Sequence, residues 1–199
     1  MVLKRFVDVL LSFFALLFLS PVLAGIALAV WLDSGSPVLF HQLRVGMNFR
    51  PFRIHKFRTM RVQATGPMLT VAGDRRITSI GRFLRLAKLD ELPQLWNVLR
   101  GEMSLVGPRP EVPEFVALFE SRFRSVLIVR PGITDPASIQ FRNEESVLFG
   151  SENPQREYAE RILPIKLELA EHYVRTQSTS NDLVILLRTA MAIVRGDEQ

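Results

Sequence analysis

The chain opens on a long apolar segment, and shorter apolar patterns follow it. Phe6–Leu32 carries one charge, Asp8, in 27 residues, and as a helix it would be about 40 Å long, enough to cross a bilayer. Next, residues 38–62 alternate short apolar stretches with basic residues around Gly46-Met47-Asn48. This alternation predicts one or two short strands and a turn, and residues 63–73 are predicted to be loop.

Helical spacing dominates the rest of the chain. The predicted helices are Ile77–Leu89 with Phe83, Leu84 and Leu86 on its buried side, a segment carrying Leu92, Leu95, Trp96 and Leu99 and ending at Gly101, Pro113–Arg124, residues 154–176, and Leu183–Arg195. The sequence thus predicts an α+β fold that is mostly helical. We place a membrane segment at residues 1–36 and a compact domain with short strands and amphipathic helices at residues 37–199.

Ser20-Pro21 lies in the middle of the apolar segment, where proline kinks or breaks a helix. The two halves would be about 21 Å and about 16 Å long, each too short to cross a bilayer. Basic residues flank both ends, which places both ends in the cytoplasm by the positive-inside rule. These features favour a re-entrant helix–break–helix. A proline-kinked spanning helix and a signal peptide cleaved near Ala27-Leu28-Ala29 remain alternatives.

Charge is unevenly distributed along the chain. Met1–Leu89 has 13 Lys/Arg and 3 Asp/Glu, whereas Asp90–Gln199 has 12 and 17. A basic N-terminal half predicts an anionic partner, namely nucleic acid, a phospholipid surface or a phosphorylated small molecule, although a solvated basic surface would look the same. The absence of cysteine excludes disulfides, thiol nucleophiles and cysteine metal sites. The sequence has no Rossmann fingerprint, P-loop or nucleophile elbow.

One segment combines two adjacent carboxylates, Asp90 and Glu91, with a following helix. Asp90 is predicted to cap that helix, and ordinary helix capping would by itself explain the pair. Several basic residues surround the pair in the sequence or come from the basic segment: Lys56, Arg58, Arg82, Arg85, Lys88 and Arg109. Carboxylates among arginines suit phosphoryl transfer, in which one carboxylate attacks phosphorus and the other holds Mg²⁺.

A series of motifs in a fixed order resembles a known family. The motifs are Lys4-Arg5-Phe6-Val7-Asp8, Ser20-Pro21, Arg44-Val45-Gly46, Lys56-Phe57-Arg58-Thr59-Met60, Arg76-Ile77-Thr78, Gly81-Arg82-Phe83-Leu84-Arg85, Leu89-Asp90-Glu91-Leu92-Pro93-Gln94, Asn97-Val98-Leu99, Met103-Ser104-Leu105-Val106-Gly107-Pro108-Arg109-Pro110 and Arg130-Pro131-Gly132-Ile133-Thr134. In these motifs the chain resembles the bacterial sugar transferases, the monotopic phosphoglycosyl transferases. The resemblance extends to about Thr134 and continues weakly beyond it.

The resemblance implies an enzyme that moves a sugar 1-phosphate from a UDP-sugar to undecaprenyl or another polyprenyl phosphate. UMP leaves, and the product starts a polysaccharide or another glycoconjugate. By the same resemblance Asp90 is the nucleophile of a covalent phosphosugar intermediate, and Glu91 holds Mg²⁺. The implied contacts to phosphates or nucleotide come from Lys56, Arg58, Arg85, Arg109 and Arg142. The family's re-entrant helix matches Ser20-Pro21, which implies a monotopic protein on the cytoplasmic face of the bacterial inner membrane.

Three positions depart from the family pattern: the Asp135-Pro136 loop, Lys88 and Ala170. The atypical loop bears on donor recognition rather than on the chemistry. The alternative function is a membrane-anchored basic binding or scaffold protein without catalysis. Nucleic acid is not an expected partner, because no recognition helix or RNA-binding motif is present. The identity of the sugar, the glycan pathway and the oligomeric state do not follow from the sequence.

Overall fold

The computed structural model describes residues 2–62 and 69–195. Within these ranges the fold is α+β and mostly helical, as predicted. The helices are α1 (Val2–Ser34), α2 (Ser79–Leu86), α3 (Gln94–Arg100), α4 (Pro113–Leu118), α5 (Glu120–Val126), α6 (Pro136–Gln140), α7 (Glu144–Val147), α8 (Pro154–Glu157), α9 (Leu163–Thr176) and α10 (Thr179–Arg195). The strands are β1 (Leu39–Val45), β2 (Pro51–Phe57), β3 (Ser104–Val106) and β4 (Gly132–Thr134).

The predicted strands form an antiparallel hairpin, in which β1 pairs with β2 along its whole length. A short 3₁₀ turn, Met47–Phe49, connects them, with Asn48 in the left-handed conformation at φ 55°. On the inner face of the hairpin, Phe52 and Ile54 pack against Val98 and Met103. The hairpin is therefore fixed to α3 and to the start of β3.

A second, parallel pair joins β3 to β4. Neither strand is predicted by the sequence, because three residues are too few to show an alternating pattern. At the end of the pair, Gly107 and Gly132 pack backbone against backbone. A Cβ on Gly132 would come within 2.1 Å of the Gly107 nitrogen. This close approach fixes the direction of the chain after β3.

Two predicted helices differ in their interior. The segment Pro113–Arg124 forms two helices, α4 and α5, because Phe119 departs from helical geometry at φ −128°. Residues 154–176 stay helical, but a π-helical turn at Tyr158–Ile162 separates α8 from α9. These helices enclose the main apolar core, which includes Phe115, Phe123, Val126, Leu163 and Leu167.

Apolar faces on α2 and α3 are more exposed than the sequence predicts. Leu84 is buried as expected, but Phe83 is 62% exposed and Leu86 is 60% exposed. In α3, Trp96 is 52% exposed while Leu95 is buried. Both helices are short and bury only part of their surface, including Leu84 in α2 and Leu95 in α3, so part of each apolar stripe faces outwards.

The apolar N-terminal segment is one helix, α1, with Pro21 in its interior. Two separate helices joined by a break at Ser20-Pro21 are therefore the wrong local structure. The Ser20 hydroxyl donates to the Leu17 carbonyl at 2.8 Å within the same helix. Among the described helices α1 alone is long and apolar enough to cross a membrane. The re-entrant topology and the division at residue 36 stay predictions.

The N-terminal end of α1 docks on the domain through polar contacts. Lys4 Nζ lies 2.5 Å from an Asp182 carboxylate oxygen of α10. Asp8 is 5% exposed, and it accepts hydrogen bonds from the Ser104 hydroxyl at 2.7 Å and the Leu105 amide at 3.2 Å. Asp8, the one charge inside the apolar segment, thus ties α1 to β3.

The C-terminal end of α1 docks on the same domain through apolar packing. Val30 is buried against Phe57 of β2 and Leu84 of α2. Between the two docked ends, Phe13, Phe14, Leu17, Phe18 and Val22 are exposed. The helix therefore contacts one domain at both ends and presents an apolar face between them.

Candidate active site

A polar cleft of about 280 Å³ lies between β2, α2, the Leu89–Glu91 turn and the loop after β3. Six of the seven residues predicted to act in catalysis or substrate binding line it: Lys56, Arg58, Arg85, Asp90, Glu91 and Arg109. They come from separate elements, so the fold brings together what the sequence spreads over more than fifty positions. The seventh, Arg142, lines a neighbouring groove instead.

Asp90 and Glu91 lie in a 3₁₀ turn, Leu89–Glu91, that precedes α3. The sequence predicted that Asp90 caps α3, and this prediction was wrong. The helix begins only at Gln94 and is preceded by Pro93. Lys88 enters the turn with φ 55°, the left-handed conformation. The turn thus leaves the Asp90 carboxylate without a capping role.

Glu91 is held by two cations. Its Oε1 lies 2.6 Å from Lys56 Nζ and 2.6 Å from Arg109 Nη2, while Oε2 lies 3.4 Å from Arg109 Nη1. Burial opposes the charge on Glu91, but Arg109 and Lys56 outweigh it, and the pKa of this carboxyl lies well below its usual range. Glu91 is therefore a fixed, ionised carboxylate.

Asp90 has a different environment. It is 8% exposed, and in residues 2–62 and 69–195 no group donates a hydrogen bond to its carboxylate. Burial raises its pKa, Lys56 acts against that rise, and Glu91 adds to it. Since Asp90 lines the cleft, its carboxylate is free to react with or bind a ligand. The two adjacent acids thus differ in the contacts that their carboxylates make and in the direction in which their pKa values are shifted.

Arg85 and Arg58 form another side of the cleft. Arg85 Nε donates to the Thr59 hydroxyl at 2.9 Å, and Nη1 pairs with Glu145 at 2.5 Å. Arg58 Nη2 donates to the carbonyls of Ser34 and Gly35, at the end of α1. The Nε and Nη1 of Arg58 are buried and have no partner within the described part of the protein. Buried donors that line a cleft in this way suit an anionic ligand.

Arg109 is positioned by a residue that sequence reasoning did not assign. The Arg109 amide donates to Asp135 Oδ2 at 3.2 Å, and Asp135 Oδ1 accepts from the Ser138 amide at 2.7 Å. Asp135 is 1% exposed, so its carboxylate joins the Arg109 loop to the start of α6. The departure of this loop from the family pattern was the available signal.

The sequence also did not predict a buried pair of polar side chains, Glu111 and Tyr158, that lines the cleft. Glu111 accepts a short hydrogen bond from the Tyr158 hydroxyl and contacts Arg44 at 3.3 Å. Burial, with Glu111 next, raises the pKa of Tyr158 and keeps its hydroxyl protonated. No local motif pointed to Tyr158, because it meets Glu111 only through the packing of the π-helical turn.

The other two departures from the family pattern are Ala170 and Lys88, and they lie in different surroundings. Ala170 is buried in the main core beside Leu167, where an acidic side chain would lose its hydration. Lys88 lines both the polar cleft and the neighbouring groove. Neither position disturbs the arrangement around Asp90.

The donor set of the cleft fits magnesium. The described residues contain no group of three or more His, Cys, Asp or Glu that could hold a metal ion. Mg²⁺ is nevertheless commonly bound by one or two carboxylates together with substrate phosphates. Among the described residues nothing donates to the Asp90 oxygens, and Glu91 Oε2 contacts Arg109 at 3.4 Å. These oxygens suit a Mg²⁺ ion that is completed by phosphate and water.

Comparison with known proteins now adds to this geometry. The sequence model of the bacterial sugar transferase family matches residues 1–196. The chain belongs to the bacterial sugar transferase family. This membership confirms the resemblance found in the motifs and the prediction that the protein is a transferase enzyme.

Several curated relatives of this sugar transferase carry more specific names. A UDP-glucose:undecaprenyl-phosphate glucose-1-phosphate transferase of Caulobacter vibrioides is 36% identical over 98% of the chain and 70% of its own length. One with the same name from Escherichia coli is 40% identical over 94% of the chain and 39% of its own length. A UDP-N-acetylgalactosamine-undecaprenyl-phosphate N-acetylgalactosaminephosphotransferase of Aeromonas hydrophila is 36% identical over 97% of the chain and 44% of its own length. The sugar transferase thus spans less than half of two of these relatives.

Proposed function

We propose that this sugar transferase moves a sugar 1-phosphate from a UDP-sugar to a polyprenyl phosphate through a covalent intermediate on Asp90. The names of the curated relatives support the substrate classes. One observation supports the mechanism: a buried carboxylate, to which no described residue donates a hydrogen bond, lines a cationic cleft, beside a second carboxylate that Lys56 and Arg109 hold in place. A free carboxylate of this kind is suited to attack.

In the first half-reaction an oxygen of Asp90 attacks the sugar-bearing phosphorus. The bond from that phosphorus to the bridging oxygen breaks, and UMP leaves with the electron pair. In the second half-reaction an oxygen of the polyprenyl phosphate attacks the same phosphorus. The acyl phosphate bond then breaks, which restores the Asp90 carboxylate and yields a polyprenyl diphosphate sugar.

The cationic side chains reduce the repulsion between an anionic donor and an anionic nucleophile. Arg109 and Lys56 surround Glu91, and Arg58 brings two buried donors without partners among the described residues. These groups suit the diphosphate, whose negative charge they offset without reorganisation. Mg²⁺ held by Glu91 would neutralise charge on the leaving UMP.

The arrangement of α1 supports a proposal for the membrane position of the enzyme. Both ends of the helix contact the same domain, and the face between them is apolar and exposed. A helix that crossed the bilayer would carry one end away from its contacts. We therefore propose a monotopic enzyme, with α1 entering one leaflet from the cytoplasmic face of the inner membrane.

The test of the covalent mechanism omits the acceptor. The purified enzyme, a UDP-sugar and Mg²⁺ should release at most about one UMP per enzyme and leave a phosphosugar adduct on the protein. A panel of UDP-sugars identifies the donor. Asp90→Asn should abolish both signals because an amide oxygen is a poor nucleophile. Intact-protein mass spectrometry measures the adduct, and a coupled assay measures UMP.

The matched control is Glu120→Gln, which removes an exposed carboxylate on α5. This variant should form the adduct as the unaltered protein does. Full adduct formation in Asp90→Asn would refute the assignment. Steady-state kinetics with intersecting lines and no adduct would show direct transfer between the two substrates instead.

A further inference from the structure

A second cavity, of about 360 Å³, adjoins the polar cleft between α3, α6 and α10. We call it the apolar groove. Most of the surface exposed in it is apolar, and its apolar residues include Leu92, Leu105, Ile133, Ile139 and Leu186. The polar cleft, in contrast, is walled mainly by charged and hydroxyl-bearing side chains. The two cavities therefore favour ligand parts of opposite character.

The two cavities meet beside the catalytic dyad. Six residues line both of them: Lys88, Glu91, Arg109, Glu144, Glu145 and Lys166. Glu91 directly follows Asp90 in the chain, and Lys88 precedes it by two positions. The junction of the two cavities carries three cationic side chains and three carboxylates. Arg109 pairs with Glu91 and Lys166 with Glu144, which leaves Lys88 as the cation of the junction without an ion-pair partner among the described residues. A molecule with an anionic head and an apolar chain is complementary to this arrangement.

The apolar groove is also bordered by an outward-facing apolar surface. On α10, Leu186 lines the groove, whereas its neighbour Leu187 is 57% exposed. On α3, Leu95 lines the groove, and its neighbour Trp96 is 52% exposed. An apolar chain that leaves the groove would therefore meet further apolar side chains, as a lipid dissolved in a bilayer requires.

The segment that departs from the family pattern forms one wall of this groove. Ser138, Ile139, Phe141 and Arg142 all line it, and the Ser138 hydroxyl is buried without a partner among the described residues. These residues do not line the polar cleft. These later residues of the departing segment therefore fall on the apolar side of the junction, whereas Asp135 contacts the Arg109 loop.

We propose that the apolar groove binds the isoprenoid units nearest the phosphate of the polyprenyl phosphate acceptor. The proposal rests on the proposed function. The phosphate head would lie at the junction beside Lys88, within reach of the phosphosugar on Asp90. The first isoprenoid units would lie along Ile139 and Leu186, and the rest of the chain would extend into the membrane. The groove thus sets affinity for the acceptor and leaves the donor half-reaction unaffected.

The test fills the groove with a larger side chain. Leu186→Trp should raise the KM for undecaprenyl phosphate about tenfold, the scale expected when a few apolar contacts are lost. Its matched control, Leu187→Trp, alters the exposed neighbour and should leave this KM within about twofold of the parent value. In both variants the acceptor-free release of UMP should equal that of the unaltered enzyme. Ile139→Trp fills the opposite wall and should act like Leu186→Trp if the latter fails to fold.

A series of prenyl phosphates adds a second measurement. In the unaltered enzyme, KM should fall as isoprenoid units are added and then level off when the groove is filled. In Leu186→Trp, KM should level off at a shorter chain. The proposal is overturned if both groove variants fold and keep the parent KM, if Leu187→Trp has the same effect, or if the groove variants lose the donor half-reaction. An unaltered enzyme that forms no adduct and transfers no sugar would instead refute the proposed function.

Discussion

Asp90 and Glu91 are neighbours in sequence, yet their side chains are prepared for different tasks. Glu91 is ionised by contact with Lys56 and Arg109, which also fix its position. Asp90 is buried without such contacts, and burial raises its pKa. A carboxylate that is poorly stabilised in the free enzyme gains most from forming a bond to phosphorus. The site thus combines a carboxylate that is fixed in position, Glu91, with one that is prepared to react, Asp90.

The ionisation of Asp90 predicts a pH dependence of the donor half-reaction. Only the carboxylate attacks, so the rate should fall as pH decreases through the raised pKa of Asp90. Lys56 is the largest influence that counters burial. Lys56→Gln should therefore raise the pKa of Asp90 further and move the acid limb to higher pH, and it should slow the reaction about tenfold at neutral pH.

The measurement is the rate of adduct formation without acceptor, because the phosphate of the acceptor also titrates. Arg124→Gln removes a positive charge from an exposed pair on α5, and it should leave the acid limb in place. If the acid limb of the pH–rate profile lay at the same pH in Lys56→Gln and in the unaltered enzyme, Asp90 would not control the profile.

At the scale of single residues, the sequence predicts which side chains belong to the site better than it predicts their contacts. The motifs lead to six of the residues that line the polar cleft, but not to Asp135, Glu111 or Tyr158. Those three act through contacts between elements far apart in the chain. The capping role predicted for Asp90 was wrong, since capping rules assume that the helix begins directly after the acid, whereas a 3₁₀ turn intervenes.

Among the elements, the parallel pair of β3 and β4 is the support of the active site. Ser104 and Val106 pair with Gly132 and Thr134, and the chain then passes through Gly107 to Arg109. The contact between Gly107 and Gly132 leaves no room for a side chain on either residue. The position of Arg109 therefore depends on a close approach of two backbones.

Gly132→Ala should destabilise this support. The added Cβ would lie 2.1 Å from the Gly107 nitrogen and 2.4 Å from its oxygen, and backbone atoms cannot rotate out of the way. We expect a loss of about 1–3 kcal/mol in the free energy of unfolding and a lower rate of adduct formation. Thermal unfolding in detergent and the UMP assay measure the two effects.

The control is Gly25→Ala in α1, where a Cβ would meet no atom within 4 Å. Alanine favours a helix more than glycine does, so this variant should be at least as stable as the parent. Unchanged unfolding of Gly132→Ala would mean that β3 and β4 separate at little cost.

The accuracy of the predicted elements follows their length. Periodicity identified α9, α10 and the β1–β2 hairpin, all of which have several residues on one face. It missed β3, β4, α6 and α7, whose three to five residues depend on contacts made after the chain has folded. Proline at position 21 predicted a break, but α1 continues past it. A proline removes one backbone hydrogen bond, and the other hydrogen bonds of a long helix can carry it past that position.

At the scale of the whole molecule, charge and apolar surface are arranged around the membrane. The basic half of the chain supplies most of the cationic side chains of the polar cleft and the flanks of α1. Exposed apolar residues lie on α1, α2, α3 and α10, and others lie on β1 and some of the remaining helices. Since the proposed donor is anionic and the proposed acceptor is a lipid, such an enzyme must join an aqueous cleft to a bilayer. Docking α1 on the domain at both ends would fix that relation.

The topology of α1 predicts where its two ends can be labelled. The chain has no cysteine, so Leu3→Cys and Ser36→Cys each introduce a single thiol near one end of the helix. Glu120→Cys places a thiol on α5, in the domain itself. Because Lys4 and Val30 both contact this domain, an impermeant maleimide should label all three variants from the same side of sealed vesicles. Labelling should require vesicles whose cytoplasmic face is outward. If Leu3→Cys reacted only from the face opposite Glu120→Cys, α1 would cross the bilayer, and the contact of Lys4 with Asp182 could not exist in the membrane.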